Sequence, residues 1–225
     1  MTRGVSNRPV LLNFFFYKGD PNDHADVAAD LVNFKGHHPD EVDGWRKRIC
    51  ESFILPNLKV PRHPALPAST LVIHLRGGDV FAQNPPPFYP QNPASFYQKL
   101  IKNFESTIIV AEDLSNPVAQ YFKGDQRVEF QSSSKEDDFA TLLRAKNIAT
   151  SGVGTFAIGA ALCSENLENL FCTDLFQDAH LNPRMLEKDL DSKVNVEITP
   201  LSNYIKVGEW KNTLSQRALM LKYQC

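Results

Sequence analysis

The stretch Leu71-Val72-Ile73-His74-Leu75-Arg76-Gly77-Gly78-Asp79-Val80 decides how the rest of the chain reads. Its apolar start predicts a buried strand, and Gly77-Gly78-Asp79 predicts a tight loop at that strand's end. His74 and Arg76 lie two positions apart, so on an extended backbone both side chains leave the same face. The glycines beyond them let a ligand approach the main chain closely. An imidazole, a guanidinium and a bare backbone at one strand end suit an anionic ligand.

Downstream, short apolar segments alternate with helical ones. Thr107 to Ala111, Val128 to Phe130, Asn147 to Thr150 and Leu170 to Cys172 predict four more strands. Asn92-Pro93 and Asn116-Pro117 each read as an N-cap followed by proline at the first helical position, opening helices to about Phe104 and Phe122. Ser134 with Asp137 resembles a capping box and opens a helix to about Lys146, while Ser151 to Gly154 is a glycine turn before a small-residue helix from Thr155 to Cys163. This alternation implies right-handed crossovers and an α/β fold: a Rossmann-like, doubly wound, mostly parallel sheet. Near the end, Val194 to Ile198 predicts a strand, and Leu214 to Tyr223 predicts a helix turning Leu214, Ala218 and Leu221 toward the body.

Upstream, Pro9 to Tyr17 predicts a strand, Lys18 to His24 a loop, and Asp40 the cap of a helix from Glu41 to Leu55. Pro56, Pro61, Pro64 and Pro67 then make a stiff connector. It divides the chain into a reduced N-terminal region, 1–66, and a Rossmann-like domain, 67–225.

The 225 residues are 42% hydrophobic and 22% charged, ordinary for a soluble globular chain, and the net charge of −2 provides no global field for nucleic acid or an anionic membrane. Any anion must be held by a local cluster. The longest apolar run, Leu11 to Tyr17, is interrupted by Asn13 and too short to span a bilayer, so no membrane segment is expected. Cys50, Cys163, Cys172 and Cys225 form no CxxC pattern and there is no Asn-x-Ser/Thr acceptor, which favours a reducing, cytoplasmic setting over a disulfide framework. A shortened secretory-pathway enzyme is the alternative.

Ligands of open parallel sheets bind beyond the carboxyl ends of the strands. Those ends carry His74, Arg76, Gly77, Gly78 and Asp79, then Glu112 and Asp113, then Thr150, Ser151, Gly152, Gly154 and Thr155. A guanidinium can clamp one phosphate, a glycine turn with hydroxyls can cradle a second, and a carboxylate can accept from a base or ribose. A nucleoside diphosphate requires those parts.

The His74-Leu75-Arg76-Gly77-Gly78-Asp79 block resembles the HxRxGD-type motif of the fucosyltransferase superfamily, which includes α1,2-, α1,6- and protein O-fucosyltransferases. Three further blocks follow in the family's order: Ile108 to Asp113, a strand ending in an acidic pair, then Asp138-Phe139 at a helix start, then the turn Thr150 to Phe156. The resemblance runs from about Thr70 to Phe171. It implies the donor domain of a GT-B glycosyltransferase, in which His74 and Arg76 meet a nucleotide sugar, Arg76 on the diphosphate. Asp138 would bond the base, and Thr155 with nearby amides would hold the phosphate next to the sugar. The implied partners are a GDP- or UDP-linked sugar, with no other cofactor and no metal, and a glycan or protein-linked acceptor. Three positions depart from the pattern: Gly77 stands where the family often has a second arginine, and Gly152 and Gly154 replace serines. The family usually has two Rossmann-like domains. With only 1–66 ahead of the donor-like part, either the chain belongs to a larger multidomain enzyme or the acceptor site uses the aromatic loop Phe81 to Tyr89.

Plainer readings stand beside these. Arg76 and Asp79 can pair across the turn, His74 can be a core histidine, and Glu112-Asp113 and Glu136-Asp137-Asp138 can be solvated or capping carboxylates. Phe81, Phe88 and Tyr89, near Pro85-Pro86-Pro87, can be a packed loop. His37-His38 and His63 lack the spacing of a metal site. The rival enzyme class is an NAD-type oxidoreductase, because Gly152-Val153-Gly154-Thr155-Phe156-Ala157 satisfies GxGxxA with Asp174 as ribose carboxylate. A non-catalytic nucleotide- or sugar-binding module is the third reading.

Overall fold

A computed structural model describes residues 44–176 and 183–225. The expected strand Pro9 to Tyr17, the loop after it, Asp40 and His37-His38 lie outside them. Six strands form one sheet: β1 Thr70–Leu75, β2 Ser106–Ala111, β3 Val128–Gln131, β4 Asn147–Ala149, β5 Asn169–Thr173 and β6 Asn195–Thr199. Every pairing is parallel, in the order β3-β2-β1-β4-β5-β6. This is the strand order of doubly wound dinucleotide-type sheets, with a switch point between β1 and β4.

The helices are α1 Trp45–Ile49, α2 Ala94–Ile101, α3 Pro117–Phe122, α4 Lys135–Arg144, α5 Phe156–Cys163, α6 Pro183–Asp189 and α7 Leu214–Lys222. Side-chain alternation on β1 sorts them into two layers. Leu71, Ile73 and Leu75 face the layer containing α2, α3 and α7, whereas Val72 faces α1, α4, α5 and α6. The chain leaving β1 therefore enters a helix on one face, and the chain leaving the adjacent β4 enters a helix on the other. Such divergence opens a crevice at the carboxyl edge.

Several local expectations meet their physical reasons here. Asn116 caps α3 by accepting from Val118 N at 2.9 Å, and Ser134 caps α4 by accepting from Asp137 N at 3.1 Å. Asn92 does not cap α2: its side chain spans the ends of β4 and β5, where a buried amide satisfies more groups than a cap would. The helix expected to end at Leu55 is α-helical only through Ile49, then widens to a π turn at Cys50–Ile54 and tightens to a 3₁₀ turn at Leu55–Asn57, where Pro56 sits. Cys50 packs in the same core as Val72 and Ile148, so this segment lies against the sheet. Leu214 is 86% exposed, contrary to its expected inward role; Met220 is the buried residue of α7, because Leu214 is the helix's first residue and lies beyond the covered turn.

Among the described residues, no helix is long and apolar enough to cross a membrane.

Candidate functional site

The carboxyl end of β1 is shaped by two carboxylates from β2. Gly78 N donates to Asp113 Oδ2 at 3.0 Å, and Ser115 N donates to Asp113 Oδ1 at 2.7 Å. Burial alone would raise the Asp113 pKa, but the hydrogen bonds from Ser115 and Gly78 outweigh it and hold the group below its ordinary value. A Cβ on Gly77 would collide with that pinned carboxylate. At Gly78, with φ 56°, a Cβ would lie 2.7 Å from Glu112 Oε2. Asp113, pinned by two hydrogen bonds, occupies the volume a residue-77 side chain would need, while the left-handed backbone at Gly78 favours glycine there.

Arg76 lies between two neighbours. Its Nη2 donates to both Asp79 oxygens at 3.1 Å, and its guanidinium sits 4.4 Å above the Tyr89 ring. The plain reading, a pair across the turn, is therefore present. The Arg76 side chain is 27% exposed and that of Asp79 61%. An exposed pair of this kind contributes little and exchanges readily for another anion. Asn116 fixes the Arg76 backbone, donating from Nδ2 to its carbonyl at 3.0 Å.

His74 is on the opposite side of the turn's approach, directed toward α4 and α5. Its ring lies 5.2 Å from that of Phe156, which in turn packs edge-on against Phe139 at 5.4 Å. Nδ1 is shielded from solvent with no hydrogen-bond partner. Burial, reinforced by the nearby Arg76 charge, lowers the imidazole pKa to about 4. At neutral pH the ring is uncharged and one nitrogen is an unspent donor or acceptor. The register aligns His74 with Val110, and β4 pairs with β1 only as far as Ala149 opposite Ile73. Beyond that, Thr150 N bonds Phe171 O, continuing the β4–β5 ladder without a further pairing to β1.

Thr150 and Ser151 are buried and serve the fold. The Thr150 carbonyl accepts from Asn92 Nδ2 at 2.8 Å and Tyr97 Oη at 2.9 Å; the Ser151 carbonyl accepts from Asn92 N at 3.2 Å. Gly152, with φ 98°, pairs as an isolated bridge with Gln91, and a Cβ there would lie 2.9 Å from Pro90 O. Its glycine is explained by the chain's own backbone, without any pyrophosphate. Gly154 faces Ser151 Oγ, and Thr155, half-buried, begins α5 with no side-chain cap. Thr155 and Phe156 are thus the part of this turn that borders the His74 side.

No protein-family model, curated protein or solved structure matches this chain.

Asp138, 7% exposed in the first turn of α4, accepts from Gln131 Nε2 at 2.8 Å and Ser133 N at 3.3 Å. Ser132 Oγ donates to Glu112 O at 2.9 Å, which ties the β3 end to the β2 end. A cavity of about 420 Å³ lies beside this group, walled by Gln131, Ser132, Ser133, Asp137, Thr141 and Arg144. His74 and Arg76 do not line it. The strand ends are therefore bridged in series, β1 to β2 through Gly78 and Asp113, and β2 to β3 through Glu112 and Ser132. Among the described residues, no group of three His, Cys, Asp or Glu side chains is arranged to hold a metal ion.

Three participants escaped the sequence reading in the roles they play: Asn92, Asn116 beyond its cap, and Gln131. Each acts through partners on other elements, 7 to 81 residues away, and only Asn116 and Asn92 carried a local signal, that of a cap.

Proposed function

We propose that this chain is a nucleotide-sugar-binding domain of fucosyltransferase-like, GT-B type, moving fucose or a related sugar from a GDP- or UDP-linked donor to a glycan or protein-linked acceptor without a metal. The observation carrying this reading is the convergence of the separated blocks at one carboxyl edge: Gly78 N on Asp113, Asn116 on the Arg76 carbonyl, and His74 against Phe156. A crevice at a switch point, with Arg76 on one side and Thr155-Phe156 on the other, suits a ligand carrying two linked anions.

The roles follow from electrostatics. As the sugar–phosphate bond breaks, negative charge grows on the leaving diphosphate, and Arg76 supplies a fixed positive charge there once the diphosphate displaces Asp79. His74, neutral at pH 7, can hydrogen-bond a sugar hydroxyl or phosphate oxygen without ion-pair competition. Asp138 would accept from the base. The neighbouring cavity, lined by Gln131, Ser133 and Asp137 and not by Asp138 itself, falls within the size range of small-ligand pockets.

The test is a thermal-shift and calorimetric titration of the chain with GDP, UDP and NAD, followed by mass-spectrometric screening of nucleotide sugars for hydrolysis or transfer. Protection by a nucleoside diphosphate with turnover supports the proposal; protection by NAD alone refutes it. Diphosphate binding without turnover of any donor leaves a non-catalytic binding module as the function.

A further inference from the structure

On one side the sheet ends at β3, and the phase of its ladder identifies the main-chain groups left over. Thr107 N donates to Arg127 O at 2.9 Å, so with Thr107 opposite Val128 the main-chain groups of Glu129 and Gln131 face β2. Those of Val128, Phe130 and Ser132 face outward. Val128 N is already satisfied, donating to Asp125 O at 3.0 Å. Among the described residues, Val128 O, Phe130 N, Phe130 O and Ser132 N have no hydrogen-bond partner. An edge of this kind is a template for another strand.

The groups beside that edge carry charge in a definite order. Glu129 to Ser133 line one side of the cavity beside α4. Asp137, Ala140, Thr141 and Arg144 line the other, spaced i, i+3, i+4 and i+7 on a single face of the helix. Asp137 and Arg144 therefore stand about 10 Å apart along its axis. Asp137 is exposed and Arg144 half-buried. Arg144 Nε donates to Pro64 O at 2.8 Å, which leaves both terminal nitrogens of the guanidinium free among the described residues, and His63 lines the cavity at the same end. Thr141 Oγ1 donates to Gln131 Oε1 at 2.9 Å, so the midpoint of this charged face stands level with the residue after Phe130.

We propose that β3 is a self-association edge: a second copy of this chain pairs antiparallel with it about a two-fold axis at Phe130, joining the two sheets into one. In that register the two Phe130 residues exchange N–H···O bonds, and Ser132 N of each copy donates to Val128 O of the other. Glu129 comes opposite Gln131, so no like charges meet on the strands. The same axis lays the α4 helices side by side and reversed, with Arg144 of each copy facing Asp137 of the other. Any strand could take the main-chain bonds. What selects a second copy is the charge order: a cation at one end and a carboxylate at the other, centred on the level of Phe130, is its own complement when reversed. The second copy's α4 then walls the cavity on its outer side. The inference is independent of the glycosyl-transfer reading and uses neither His74 nor Arg76.

Sedimentation velocity and amide hydrogen exchange on the full chain test it. So short an edge buries less than a standard interface, so a reversible dimer is expected with a Kd on the order of 10–100 µM, weakening as salt is raised. As concentration rises, exchange at the Phe130 and Ser132 amides should slow, while exchange at Glu129 and Gln131, already in the ladder, should change little. Arg144→Glu and Asp137→Arg each set like charges against one another at both ends of the axis and should weaken the dimer about tenfold or more. An equimolar mixture of the two variants restores opposite charges at both ends and should recover the wild-type affinity within about threefold. A chain still monomeric at about 500 µM overturns the inference. So does a dimer that leaves the Phe130 and Ser132 amides unprotected, or one that neither variant weakens. Variants that weaken the dimer alone but fail to recover when mixed overturn the charge pairing that selects a second copy. Circular dichroism checks that both variants fold; hydrogen exchange on the wild type needs no variant and decides the question if either does not.

Discussion

Replacing Gly77 by alanine should disturb the site through Asp113, and a double-mutant cycle isolates that route. The new Cβ collides with Asp113 Oδ1, so the carboxylate must rotate away from Gly78 N and Ser115 N. Each hydrogen bond is worth about 0.5–1.5 kcal/mol net, and the site is only part-buried so water can replace them in part. Gly77→Ala should therefore cost about 1–3 kcal/mol. Asp113→Ala forfeits the same two bonds and should cost about the same. Once Asp113 is alanine, however, the collision is gone and Gly77→Ala has little left to disturb. The double variant should be no less stable than either single one, with a coupling of about 1–3 kcal/mol. Urea denaturation of the four proteins at constant m-value measures this. Additivity within about 0.5 kcal/mol would refute the claim that Asp113 dictates glycine at position 77.

Three further outcomes are expected. Asn92→Ala should destabilise by about 2–3 kcal/mol, beyond the ~1 kcal/mol typical of a lost cap, because it leaves the buried Thr173 hydroxyl without its acceptor and removes one of the two donors on the Thr150 carbonyl; thermal melts showing only a cap-sized loss would contradict the bridging role. Arg76→Ala should abolish diphosphate binding while keeping the melting midpoint within a few degrees, and Asp79→Asn should tighten binding by a few fold by releasing the guanidinium, both read by calorimetry; a weaker Asp79→Asn complex would show that Asp79 assists rather than competes. His74 has a folded pKa of about 4 against 6.5 unfolded, so the unfolded state takes up its proton first as the solution is acidified. Its contribution is full above pH 6.5 and is lost between pH 6.5 and 4, amounting to at most ~3 kcal/mol. His74→Gln should flatten stability across that window, and an unchanged slope would mean the imidazole is not shielded.

Which polar residues gather at one edge of the sheet was readable before any fold was known: His74, Arg76, Glu112, Asp113 and Thr155 follow from one rule, that residues just past parallel strands share an edge. Less legible were the uses to which neighbouring groups are put. Thr150 and Ser151 looked like ligand hydroxyls but are buried beneath Asn92 and Tyr97. Gly152 looked like a phosphate turn but yields its space to Pro90 O. A glycine's requirement is set by what approaches it, and that approach came from a loop some sixty residues earlier.

Alternating apolar segments, turn chemistry and caps were enough, by themselves, to determine an α/β chain with parallel strands and to mark which strand ends carry polar groups. Those are local properties: periodicity and backbone preference act over a few residues. Tertiary structure alone decided the order β3-β2-β1-β4-β5-β6, the carboxylate that enforces glycine at position 77 and the uncharged state of His74. Each depends on what a distant segment places within a few ångströms, because desolvation, collision and hydrogen bonding are short-ranged in space and indifferent to distance along the chain.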